Sequence, residues 1–148
     1  MIDSKISKII MQQEIIYADL LKQNTIQNQN YQNITYFMNT PDKWISPKEE
    51  RLIDFLHAMS EMDNLDFNFE DNFIGFLNNK TNECLQFRRK KIDYWYAESV
   101  INHGKNWDGY AWTAYSKTDK ITDMLRLFFE EVPWFGMLSW KMRRYKHE

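Results

Sequence analysis

The stretch FIGFLNNKTNECLQFRRKKIDYWYAESVI, Phe73 to Ile101, decides the fold. Its apolar residues recur with period two, which places alternate side chains on opposite faces of an extended chain. Phe73–Leu77 reads as a strand and Asn78-Asn79-Lys80-Thr81-Asn82 as a turn. Glu83–Arg89 is the partner strand, with Leu85 and Phe87 facing one way and Gln86 and Arg88 the other. That is a hairpin. Ile92–Ile101, which carries Tyr94, Trp95 and Tyr96, is a third strand. The turn formers Asn102-His103-Gly104-Lys105-Asn106 separate it from a fourth at Tyr110–Tyr115.

Working outward to the carboxyl terminus, Thr118 and Asp119 are candidate caps for a helix. Its positions Ile121, Met124, Leu125, Phe128, Phe129 and Val132 follow helical spacing until Pro133 stops it. Leu138, Trp140 and Met142 then alternate with Ser139, Lys141 and Arg143. This pattern predicts a last strand with its apolar side on the core and its cations in water.

Toward the amino terminus, Ser46-Pro47-Lys48-Glu49 has the form of a capping box with proline at the first helical position. It predicts a helix starting there and running through Leu52, Phe55, Leu56 and Met59 to Glu61–Asn64. Ile34–Met38 is a candidate short strand. Ile6, Ile9, Ile10, Ile16, Tyr17, Leu20 and Leu21 predict an amphipathic helix over 3–22, interrupted at Gln13. The Asn/Gln-rich run 23–33 is a polar connection. The expected architecture is one α+β domain over 1–148, its body at 34–148. The sheet is mostly antiparallel, of about five strands, with helices packed mainly on one face.

At 148 residues the chain buries roughly 68–70% of its unfolded surface on folding, so it needs no disulfide or metal staple. Its 16% aromatic content argues strongly against a disordered tail or low-complexity linker. The lone Cys84 rules out an intrachain disulfide and points to a reducing compartment. The start Met1-Ile2-Asp3-Ser4-Lys5 lacks a secretory pattern, and no run approaches the ~18 apolar residues of a membrane span. A cytoplasmic, non-membrane protein is expected.

The formal charge of −2 excludes the global basic field of a dedicated nucleic-acid binder. Charge is not evenly spread, however. Residues 52–79 hold Asp54, Glu61, Asp63, Asp66, Glu70 and Asp71 with no Lys or Arg, a run that is either a solvated face or a dock for a basic partner.

Reactive equipment is sparse. Gly75, Gly104, Gly109 and Gly136 form no phosphate-cradling loop, and one Cys with the scattered His57, His103 and His147 makes no zinc pattern. The acidic run lacks the calcium-loop spacing. Cys84 with His57 or His103 is a conceivable nucleophile pair, but a small buried hydrophobe is the plainer reading. His103 oriented by Glu98 has the competing reading of an exposed turn histidine. Glu98, Asp93 and Asp108 amid Trp95, Trp107 and Trp112 form a glycosidase-like set of the kind any aromatic sheet offers. Neither catalytic residues, a metal nor a cofactor is expected.

Arg88-Arg89-Lys90-Lys91 beside Tyr94, Trp95 and Tyr96 mixes cations with stacking rings. That mixture suits single-stranded nucleic acid, or else it blunts a sheet edge. Lys141, Arg143, Arg144 and Lys146 read as a solvated face. Within Trp107-Asp108-Gly109-Tyr110-Ala111-Trp112, Trp107 and Tyr110 are candidate anchors for a protein interface, with core filling as the alternative.

One pattern unites a capped helix (Ser46–Met62), an acidic stretch and the hairpin of Ile74-Gly75-Phe76-Leu77 with Cys84-Leu85-Gln86-Phe87. Aromatic strands follow, then a helix at Asp123–Glu131 ending in Val132-Pro133-Trp134, and a last strand with Leu138-Ser139-Trp140. Over roughly residues 46–144 this resembles the small immunity proteins of contact-dependent growth inhibition and related polymorphic toxin systems in bacteria. The likeness lies in the pattern, not in a diagnostic motif. It implies a cytoplasmic, non-enzymatic protein that binds one cognate toxin domain, often a nuclease, and blocks its active or substrate surface. Because nucleases are basic, Asp63, Asp66, Glu70 and Asp71 are the expected docking carboxylates, with Trp107 and Tyr110 as anchors. The alternatives are a nucleic-acid-associated adaptor using 88–96 and an enzyme of unrecognised type.

Overall fold

The structure, a computed structural model, describes residues 33–100 and 110–144. The expected helix over 3–22, the connection as far as residue 32, the turn Asn102–Asn106, Trp107 and Asp108 lie outside them.

The period-two segments form one antiparallel sheet. Its strands are β1 (Ile34–Asn39), β2 (Trp44–Ile45), β3 (Arg51–Leu52), β4 (Phe73–Asn78), β5 (Glu83–Lys91), β6 (Tyr94–Val100), β7 (Tyr110–Ser116) and β8 (Lys141–Arg144). The order is β2-β1-β4-β5-β6-β7-β8, with β3 also paired to β1. Eight strands therefore replace the expected five or so. β2 and β3 are two residues each, too short to show a period, and together they cover the outer edge of β1 through Met38↔Ile45 and Thr35↔Leu52. An edge closed this way offers no long row of free backbone groups.

Register assigns the faces. Ile34, Tyr36 and Met38 of β1 share a side with Ile74 and Phe76 of β4, Leu85 and Phe87 of β5, and Trp95 and Ala97 of β6. On that side lie α1 (Phe55–Asp63) and α2 (Thr118–Phe129). Phe55, Ala58, Met59, Ile121, Met124, Leu125, Phe128 and Phe129 close a single hydrophobic core with the strands. Gly75 of β4 pairs with Phe37 of β1 on the other face, and a Cβ there would run into the Phe37 ring. Among the described residues no helix is long and apolar enough to cross a membrane.

Three sequence expectations are corrected in detail. The box at Ser46 is real: Ser46 Oγ accepts from the Lys48 amide and Glu49 Oε2 from the Ser46 amide. It caps only a 3-10 turn, Pro47–Glu49, which ends because Glu50 takes a left-handed conformation (φ 50°). The helix starts at Phe55 behind a second cap, Asp54, whose Oδ1 accepts from the His57 amide at 2.8 Å. At α2, neither Thr118 nor Asp119 is the cap. Lys117 holds that position without a side-chain bond, and Asp93 from the β5–β6 turn accepts the Thr118 amide at 3.0 Å. The last strand starts three residues late. Leu138 and Trp140 lie against the core from irregular chain, following a 3-10 turn at Phe135–Met137, whereas Met142 is 55% exposed rather than buried.

Candidate functional site

Helix α1 buries Phe55, Ala58, Met59 and Met62 and ends at Asp63, after which Leu65, 2% exposed, pins the chain back into the core. The loop to β4 is then built from short-range bonds. Asp66 Oδ1 accepts from the Asn68 amide, the Phe69 amide donates to the Asp66 carbonyl, and the Asn72 amide to the Phe69 carbonyl. Asn72 is buried and knits the loop to β5: its Nδ2 donates to the Phe69 and Arg89 carbonyls, and its Oδ1 accepts from the Arg89 amide. Asn39 Nδ2 donates to the Asp71 carbonyl at 3.1 Å.

Arg89 holds the loop from beneath. Its Nη1 donates to the carbonyls of Asp63 (3.2 Å) and Leu65 (3.1 Å), and its Nη2 to that of Ile92 (2.8 Å). Its guanidinium sits 5.4 Å from the Trp95 ring centre and 5.7 Å from that of Phe67. A cation at the carbonyl end of α1 complements the helix dipole.

The six acids of the run divide by role. Asp54 is the helix cap, and Glu61 is bound by Lys43 Nζ at 2.9 Å and faced by His57 Nε2 at 3.4 Å. Asp63, Asp66, Glu70 and Asp71 are all exposed, and among the described residues none of them has an ion pair. Asp63 ends α1, and Asp66, Glu70 and Asp71 follow on the loop that leads from it to β4.

The aromatic anchors do not join them. Tyr110 is half-buried at the start of β7 with Arg144 over its ring at 5.6 Å. Register puts Arg89 level with Ser116 and Ile74 of β4 level with Phe87 and Ala114, so Tyr110 lies at the far end of the sheet from the acidic loop. Trp107 is outside the described residues.

The basic tetrad is divided as well. Arg89 is committed to the loop, Arg88 faces the side away from the helices opposite Tyr96, and Lys90 and Lys91 are exposed at an irregularity in the pairing. Trp95 is buried and donates to Thr118 Oγ1 at 2.9 Å. What remains for stacking is Tyr94 parallel to Tyr115 at 5.5 Å, with Tyr96 tilted against Tyr115 at 5.2 Å. The sequence reading missed Trp44, 60% exposed and edge-on to Phe73, because a two-residue strand carries no period to place it.

Cys84 and His57 do not form the nucleophile pair, and His103 lies outside the described residues. Burial, with a smaller contribution from Glu98, pushes the Cys84 thiol up to about 12, so it holds its proton at neutral pH. Cys84 and His57 also lie on opposite sides of the sheet, for His57 is on α1 with its ring edge-on to Tyr36. The described members of the glycosidase-like set are dispersed: Asp93 is bonded to Thr118, Trp95 is in the core, Trp112 packs on Phe135, and Glu98 accepts from the Tyr96 hydroxyl. Among the described residues no three His, Cys, Asp or Glu side chains are grouped to hold a metal ion. Compared with known proteins, the chain matches no family model, no curated protein and no solved structure.

Proposed function

We propose that this protein is an immunity-type binding protein, not an enzyme, which neutralises a cognate basic toxin domain by seating the loop 63–71 on that domain's substrate surface. One observation carries the reading: four exposed carboxylates, without ion pairs among the described residues, stand on the end of α1 and on the loop after it, which Leu65, Asn72 and Arg89 pin. Held in place before contact, such groups lose little freedom on binding, and unpaired charge is the kind that steers a positive partner. A nuclease domain fits because its surface must attract phosphates. The adaptor reading keeps Arg88 and the tyrosines but gives up Trp95 and Arg89 to the interior.

The test is co-expression with the toxin encoded directly upstream. Charge reversal at all four sites (Asp63→Lys, Asp66→Lys, Glu70→Lys, Asp71→Lys) should abolish protection and slow association at least about tenfold at low salt, with the fold kept by circular dichroism. Unchanged protection and complex lifetime would sink the proposal.

A further inference from the structure

Both described helices pack on one face of the sheet, and register gives the other face an apolar set beside Gln86, Arg88, Glu98 and Thr113. Phe37, Phe73 and Leu77 lie on it, with Trp44 and Leu52 at one margin, 60% and 57% exposed. Toward the middle and the β7 side, Cys84 and Ala111 are only 8% and 0% exposed, although no described helix crosses this face. Apolar groups exposed at the margin, and small ones shielded along the row from Leu77 through Cys84 to Ala111, call for cover on this face.

We infer that residues 3–22 supply it, docking as an amphipathic helix across this face through the stripe that contains Ile6, Ile9, Ile16 and Leu20. The dimensions agree. Twenty helical residues span about 30 Å, and seven strands at about 4.8 Å spacing make a sheet about 29 Å wide. The eleven residues 23–33 reach as far as about 36 Å, enough to turn back from the start of β1 over any strand. A segment tethered to β1 also meets the face at millimolar effective concentration, which favours it over a second copy. This inference is independent of the toxin reading, and it leaves α1, on the opposite side, free.

The experiment uses the full chain with Cys84→Ser and a nitroxide on Gln12→Cys. Amide signals of Leu77, Gln86 and Glu98 should broaden more than those of α1 and α2, unchanged on tenfold dilution. Adding Ile9→Asp and Ile16→Asp should remove the effect. In the chain that keeps Cys84, the same two substitutions should speed thiol labelling at least tenfold while the α1 and α2 signals stay in place. Broadening that is absent, centred on the helices, or lost on dilution would overturn the inference, the last by assigning the face to a second copy.

Discussion

Arg88 and Arg89 are adjacent cations with opposite fates, and parity separates them. In β5 Arg89 shares the side of Leu85 and Phe87, so it turns inward, where three carbonyls and two rings receive it. That was legible in the alternation of Leu85 and Phe87 against Gln86 and Arg88. The run of four like charges hid it, because such runs read as surface. The arrangement is tight enough to leave Arg89 Nε buried without a hydrogen-bond partner. A lysine cannot span three carbonyls lying in different directions or stack flat between rings. Arg89→Lys should therefore cost about 2 kcal/mol, read as a lower denaturant midpoint at constant slope, and should slow partner association although net charge is unchanged. Arg88→Lys is the control, expected to leave the midpoint in place; equal midpoints for both variants would refute the loop-holding role.

Among the elements, α1 shows where local signals mislead. Ser46-Pro47-Lys48-Glu49 forms the bonds a capping box should form, and the Ser46 amide holds the Glu49 carboxyl below the usual carboxylate range. Nothing in those four residues reports that Glu50 leaves helical space at once, or that Leu52 is drawn into pairing with Thr35. The competing signal, Asp54 ahead of Phe55, was of the same kind and eight residues later. Tertiary pairing decided between them. The far end of α1 breaks a rule instead: Asp63, a carboxylate in the last turn, opposes the helix dipole, and Arg89 only offsets this at the Asp63 carbonyl. Residues that cost stability without a structural return are expected where function needs them. Asp63→Asn should thus raise stability by about 0.3–1 kcal/mol while weakening the toxin complex. A substitution that stabilised the fold and left binding untouched would remove Asp63 from the interface.

At the scale of the whole molecule, the hairpin and the aromatic strands were readable because period two survives burial on one side. Strands of two residues, and a last strand whose four residues are all exposed, were not readable as placed, since their positions follow from neighbours far along the chain. The same holds for the ties between layers. At one end Asn78 Nδ2 donates to Glu131 and Trp134 Nε1 to Glu83; at the other Asp93 receives the first amide of α2, and Trp95 bonds Thr118. Bonding to Thr118, with help from Lys117 and Arg89, holds the Asp93 carboxyl below its ordinary value. A carboxyl depressed in the folded state adds stability that is complete above its unfolded pKa of about 3.9 and vanishes as pH falls through the lower folded value. Asp93→Ala should accordingly destabilise the chain by about 1 kcal/mol at pH 7, the usual worth of a helix cap. The two proteins differ in this one carboxyl, so the gap between their denaturation midpoints should be constant from pH 7 to about 5 and close progressively below about 3.9. If the gap is instead independent of pH down to 2, the contact is one of shape and dipole, and the ionised Asp93 is not what fastens α2 to the sheet.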